Sequence, residues 1–233
     1  MLTAYLTRTR QLLQNPAATV ALYADADLTA YINTARSELA GETECVRDYS
    51  TLAMAAGTRS YAFSAISTSN AGVFSIRGAT VSIASGQRWI APRPFPYFQL
   101  YYLNNPVPTP GLPRQYSQFG QGTTGTLYVD PVPDQTYSLN LDCVCRPVDL
   151  ATDSTPETIP YPYTDAVPYY AAYLAYLSAQ RAADADRMWA EYQKFAARAR
   201  QISNGPVNPA QYPQSANPVR ASQLGLQPSG VQR

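Results

Sequence analysis

Histidine is absent from all 233 residues, and lysine occurs once, at Lys194. The missing imidazole removes the usual general base near neutral pH and the commonest metal ligand, and it excludes Ser-His and Cys-His nucleophile pairs. Cysteine is scarce too: Cys45, Cys143 and Cys145 form an odd set without paired metal-ligand spacing. Cys143 and Cys145 stand two apart in a strand-like stretch, so they share a face and a bridge between them would be strained; all three are expected to be reduced and packed. The longest apolar run, Ala166 to Leu177, contains Pro168 and falls short of the ~20 residues that cross a bilayer. The first residues lack the basic start, apolar middle and small-residue cleavage site of a signal peptide, so no membrane association and a cytoplasmic site of synthesis are expected.

Charge is sparse as well. Only 14% of residues are charged and the formal net charge is +1, against roughly 25% charged residues in typical soluble domains. No cluster of basic residues offers the phosphate grip on which nucleic-acid affinity rests, although DNA that merely slides through a channel needs none. What the chain has instead is tyrosine, 19 of them. These are stiff contact groups with one polar end, suited to protein interfaces or to a Tyr-rich core.

The apolar spacing places helices at both ends. Leu2, Tyr5, Leu6, Leu12 and Leu13 repeat at helical steps until Asn15-Pro16. A second helix is expected with Asp25 as N-cap, Leu28, Ile32, Ala35 and Leu39 on one face, and Gly41 at its stop. From Cys45 to Leu150 the period changes to that of strands and turns. The clearest strand alternates Tyr137, Leu139, Leu141, Cys143 and Cys145 with Ser138, Asn140, Asp142 and Arg146. Three hairpins are expected: one turning at Gly57, one at Ser85-Gly86-Gln87, and one joining the strand at Leu127 and Val129 to the 137–146 strand through Asp130 to Gln135. Helix returns after Pro162, capped by Thr164 or Asp165, with Pro168 in its first turn. Asp184 then caps a last helix whose seam is Met188, Tyr192, Phe195, Ala199 and Ile202, stopped by Asn204-Gly205-Pro206. Residues 205 to 233 are rich in Pro, Gln, Ser and Asn and nearly uncharged. Alone they cannot bury enough apolar surface to offset an ordering cost of roughly 1–2 kcal/mol per residue, so a partner is expected to order them.

Chemistry is hard to find. Glu38, Glu42, Glu44 and Asp48 are the candidates for a carboxylate pair that cleaves glycosides, but acids so close together near a helix end are ordinarily solvated. Gly120-Gln121-Gly122-Thr123-Thr124-Gly125 has the letters of G-x-G-x-x-G, yet it leads into a strand rather than a helix and reads as a loop or hairpin tip.

Three stretches carry a family resemblance. Leu2-Thr3-Ala4-Tyr5-Leu6-Thr7-Arg8-Thr9-Arg10-Gln11-Leu12-Leu13 with Asp25 to Arg36 is similar to the opening of tailed-bacteriophage head-to-tail adaptor (connector) proteins. Gly111 to Tyr116, Leu127 to Asp134, Tyr137 and Pro147 resemble that family's β-hairpin pattern, and Ile159 to Leu174 the start of its closing helix pair. The resemblance implies an α+β fold: a helical bundle of N-terminal and C-terminal helix pairs with an inserted antiparallel β domain and an extended C-terminal tail. The corresponding divisions are 1–44, 45–150, 151–203 and 204–233. It implies a non-enzymatic virion protein of the neck, without cofactor or metal, assembled in the host cytoplasm. Its expected partners are the portal protein, a tail or nozzle/stopper protein, and further copies of itself in a homo-oligomeric ring, a dodecamer, through whose lumen viral DNA passes.

The expected contacts follow from that reading. Pro206, Val207, Tyr212, Val219, Arg220, Leu224, Leu226 and Arg233 of the tail would grip the portal, Tyr169, Tyr173 and Tyr176 would meet neighbouring subunits, and a hairpin at Asp130, Pro131, Pro133 and Asp134 would face the tail. A tail-tip or receptor-binding protein whose tyrosines stack on sugars is the main alternative, and a neck-borne peptidoglycan hydrolase the third.

Overall fold

Alternation of apolar and polar side chains makes strands the dominant element of this chain. The computed structural model describes residues 1–15, 22–100 and 109–203. Helices α1 (Leu2–Leu12) and α2 (Asp25–Thr43) lead into strands β1 (Arg47–Met54), β2 (Ser60–Ala62), β3 (Gly72–Ile83) and β4 (Gly86–Pro92). A short helix α3 (Phe95–Phe98), strands β5 (Gln115–Phe119), β6 (Thr126–Asp130) and β7 (Tyr137–Arg146), and helices α4 (Val167–Ser178) and α5 (Ala182–Ser203) complete the order.

The strands form one seven-stranded sheet in the order β1-β7-β3-β4-β5-β6-β2, antiparallel except where β4 meets β5. The sheet curls. A turn of a few residues joins its two outermost strands, the Tyr61 hydroxyl bonds both the N–H and the C=O of Ala55, and the chain leaving β2 runs back along β1 through a Thr51–Ser67 bridge. The expected helical bundle with an inserted β domain is therefore corrected to a mixed α+β fold dominated by this sheet. The physical reason is that the larger core is shared: Ile32, Leu39, Ala171 and Tyr192 from the helices lie in the same cluster as Leu52, Val81, Leu127, Leu139 and Cys145 from the strands. A second, smaller cluster of Leu13, Tyr23, Leu28, Ala172, Ala175, Tyr176 and Ala185 lies among the helices alone.

Long-range pairing also overrides two expected hairpins. Gly57 does turn, with φ +76, but β1 pairs with β7 and β2 with β6. The segment Asp130 to Gln135 is likewise a crossover, because β6 lies between β5 and β2 whereas β7 lies between β1 and β3. The β3–β4 hairpin forms as expected, and the glycine-rich 120–125 stretch is the tip of a β5–β6 hairpin. Strand β7 buries Tyr137, Leu139, Leu141, Cys143 and Cys145. All three cysteines are free, and burial raises the thiol pKa of each, that of Cys143 to about 12.

Helix ends depart from the expected caps. Asp25 lies inside the first turn of α2, with Ala24 at the cap, and its carboxylate takes Arg10 of α1 at 2.6 Å. The charge of Asp25 is satisfied twice there, by the helix dipole and by the guanidinium. Helix α2 runs through Gly41 to Thr43 and closes on Glu44 in a left-handed conformation. Helix α4 starts from Ala166 after a 3-10 turn at Tyr163–Asp165, with Pro168 in its first turn as expected. Asp184 sits in the first turn of α5 and bonds Arg181. Along α5, Met188, Tyr192, Phe195 and Ala199 face inward; the side chain of Ile202 lies outside the described residues.

One polar group is enclosed at the junction of helices and sheet. Arg36 of α2 has no exposed surface, and its guanidinium donates to both Glu157 carboxylate oxygens, to Asn33 Oδ1 and to the carbonyl of Val148. Asn33 in turn bonds the N–H and C=O of Leu150. The chain leaving β7 is thus stitched to α2.

Removing one partner of a buried ion pair strands the other. Arg36→Ala or Glu157→Ala should each lower unfolding stability by about 3–5 kcal/mol, measured by denaturant melts, with Arg36→Lys recovering little because an ammonium cannot reproduce the fork. Asp48 on β1 accepts hydrogen bonds from the Thr68 hydroxyl and from the Ser69 N–H and hydroxyl, and these bonds, the Thr68 one foremost, hold its pKa below the ordinary carboxylate value. A depressed folded pKa gives stability that is present above the unfolded value of about 4 and lost as pH falls through the folded one. Amide exchange at Ser69 should therefore quicken, relative to Asp48→Asn, only below about pH 4.

Candidate assembly surfaces

Tyrosine and tryptophan concentrate where α4 lies against α5. Tyr169 stacks on Phe195 with ring centroids 4.7 Å apart, and Arg8 of α1 reaches the Tyr169 hydroxyl at 3.4 Å. Further along, Tyr170 meets Tyr173, Trp189 and Tyr192 at 5.5, 5.7 and 5.0 Å, and Trp189 also touches Tyr173 and Tyr192. Alanines at 171, 172 and 175 are fully buried, which lets the helices approach and pushes these rings to the margin of the contact. Tyr169, Tyr170, Tyr173, Trp189 and Phe195 consequently remain half-buried, an aromatic face with some area still in water. Tyr176 has a different place: it is 5% exposed, donates to the Leu12 carbonyl and carries Arg181 over its ring.

Tyr192 closes this cluster from below. Fully buried, it donates at 2.6 Å to Glu42, whose other carboxylate oxygen accepts from Arg200. Burial, and then the adjacent Glu42, raises the Tyr192 phenol far above its usual range, so it stays a donor. Two of the other candidate acids are similarly occupied, Glu44 by Arg77 and Asp48 by Thr68 and Ser69, while Glu38 is exposed. Glu38, Glu42 and Glu44 do line one groove of about 500 Å³ with Phe74 and Gln121. Two of its three carboxylates are bound to arginine, which is the chemistry of a structural joint rather than of an acid/base pair.

The Asp130 to Asp134 segment is fastened to its surroundings. The Asp130 carboxylate lies 4.0 Å from Arg59, and burial raises its pKa while the guanidinium opposes the rise. Gly111 N–H bonds the Val132 carbonyl, Gly57 N–H the Pro133 carbonyl, and the Tyr137 hydroxyl the Asp134 carboxylate. Asp134 is exposed and Pro131 partly so. The eight tail residues from Pro206 to Arg233 lie outside the described residues.

Sequence spacing did not reveal a second exposed aromatic set. Tyr49 and Trp89 are each 62% exposed on the outer face of the sheet; Tyr97 of α3 and Phe119 of β5 are exposed as well, and Phe95 of α3 lies between Phe119 and Tyr128 at 4.5 and 5.3 Å. The available signal was an aromatic residue at an outward position of a strand, legible only once strand pairing is known.

Tyr192→Phe should cost about 1–2 kcal/mol of stability, since Glu42 loses a buried donor, and Arg200→Ala in that background should add less than it does alone; a double-mutant cycle on thermal melts reads both.

No curated protein matches this chain. One family model does, over residues 2–220, that of the SU10 adaptor protein. The match covers all the described helices and strands and runs past the end of α5. By that span the chain belongs to the SU10 adaptor protein family, a family of phage head-to-tail adaptors.

Proposed function

We propose that the protein is the structural ring component that joins a phage portal to the tail and continues the DNA channel between them. The observation that carries this reading is the extent of the family match, which includes the curled sheet, the four long helices and the first part of the tail, through residue 220. The composition agrees with it: a near-neutral chain lets DNA pass without holding it. Three of the four candidate acids, Glu42, Glu44 and Asp48, are bound to Arg200, Arg77 and the Ser69 segment.

In this reading the half-buried aromatic face of Tyr169 and Tyr173, with Tyr176 behind it, lies against the next subunit, as large rings at the margin of a helix pair suit a packed interface. The tail, with Pro206, Val207, Tyr212, Val219, Arg220, Leu224, Leu226 and Arg233, rises to the portal. The pinned Asp130–Asp134 crossover, which keeps Asp134 outward, faces the tail or nozzle protein. Closure as a dodecamer makes each contact after the first effectively intramolecular, so modest contacts add to strong attachment.

Native mass spectrometry of the protein mixed with the portal of its own phage tests the reading. The expected product is a ring with one copy per portal subunit; no complex under assembly conditions overturns it. Truncation after Asn204 should leave a folded domain with at least about tenfold weaker portal attachment, and unchanged attachment would remove the tail from the portal contact.

A further inference from the structure

The outer face of β1, β7, β3 and β4 has a chemistry unlike that of the aromatic face on α4 and α5. Strand pairing sets its side chains in cross-strand rows: Thr51, Asn140, Thr80 and Trp89 form one row, and Ala53, Ser138, Ser82 and Gln87 the next. On the other side lie Tyr49, Asp142 and Gly78. Tyr49 does not stand up from the sheet. Its hydroxyl meets Thr80 Oγ1 at 3.3 Å and Gln87 Oε1 at 3.4 Å, and Thr80 belongs to β3, so the ring must lie across β7 to reach it. Gly78, without a side chain, leaves that track open, and Asn140 under it is 8% exposed and donates to Ser82. The ring is therefore held flat with one face outward, 62% exposed, and Trp89 is equally exposed at the far end of the Thr80 row.

Four strands about 4.8 Å apart give a strip roughly 14 Å wide, close to the length of two or three pyranose rings. Two aromatic faces offer stacking for the C–H side of a sugar, and the hydroxyls and amides between them offer both donors and acceptors. The fully charged groups of the three rows and their margin, Arg47 and Asp142, are bonded to each other. The rows hold no aliphatic side chain larger than Ala53, so a second protein would bury mostly polar groups here, unlike the apolar centre of a protein interface.

We propose that this face binds an uncharged oligosaccharide, stacked on Tyr49 and Trp89 and hydrogen-bonded by Thr80, Gln87 and Thr51. A face of this kind lets a neck protein hold a surface glycan without any catalytic group.

The chain has only two tryptophans, Trp89 and Trp189, so the indole N–H signals of the full-length protein report the site directly, with Trp89→Phe giving the assignment. The probes are maltotriose, cellotriose and triacetylchitotriose, titrated to about 10 mM because open, shallow sites bind in the millimolar range. At least one should move the Trp89 signal saturably and leave Trp189 in place, and Tyr49→Ala should weaken that binding about tenfold or more. A Trp89 signal unmoved by all three sugars overturns the proposal. So does a signal that moves with protein concentration and not with sugar, which would show a second copy of the chain on this face. Portal-complex formation by the Trp89→Phe and Tyr49→Ala proteins reports separately on the adaptor reading and should be unchanged.

Discussion

A guanidinium with no contact to water holds the two halves of this fold in one relation. Arg36 is fully enclosed, and an isolated charge there would cost several kcal/mol, so its site exists only when Glu157, Asn33 and the Val148 carbonyl are all in place. Those partners come from α2 and from the chain that leaves β7 for the C-terminal helices. Correct placement of that connection fixes where α4 starts, and α4 packs on α1, α2 and α5. The pair adds little to net stability compared with an apolar replacement of the same shape, but its partial disruption is heavily penalised. Its effect is to make one arrangement of helices on sheet much better than its neighbours. A protein proposed to act by geometry needs that property more than extra stability.

Local pattern carried a good deal of this structure and pairing carried the rest. The alternation from Tyr137 to Arg146 gave both the strand and its buried face, and the steps of three and four gave the inward face of α5, whereas in α4 the alanines at 171, 172 and 175 are buried and Leu177 is exposed. Partners were another matter. Gly57 has the backbone of a turn, yet β1 pairs with β7 and β2 with β6 at the two ends of the strand order, where Leu52, Met54 and Tyr61 join the larger core. The same holds for Asp130 to Gln135, whose turn chemistry serves a crossover. Sequence spacing reports which side of a strand is apolar, not which strand lies next to it, so the balance between bundle and sheet was lost with the pairing.

The helix caps were misread for a related reason. Asp25 and Asp184 are in the first turns where acids suit the dipole, but arginines at 10 and 181 take their carboxylates, and no side-chain cap forms at α2. The assembly residues divide similarly. Tyr169 and Tyr173 were visible as a helical stripe, and the structure leaves them half-covered. Tyr176, one step further along, is turned onto Leu12 and Arg181, because α1 crosses α4 at that level. Tyr49 and Trp89 had no periodic signal at all; what distinguishes them is that both stand on the wet side of strands whose other neighbours there are hydroxyls and amides.

Scarcity of charge links these surfaces. With 14% charged residues, the chain has few groups to spread over its exterior, and its acids and arginines are largely paired: Glu42 with Arg200, Glu44 with Arg77, Asp25 with Arg10, Asp142 with Arg47. Paired charges orient elements and attract little from a distance. What remains for recognition is aromatic area and hydrogen-bonding side chains, which act at contact and discriminate by fit. Such surfaces bind weakly one at a time and gain strength by repetition. That is why a low-charge, tyrosine-rich chain is better suited to a closed assembly, where each site is repeated at fixed spacing, than to work as a solitary binding protein.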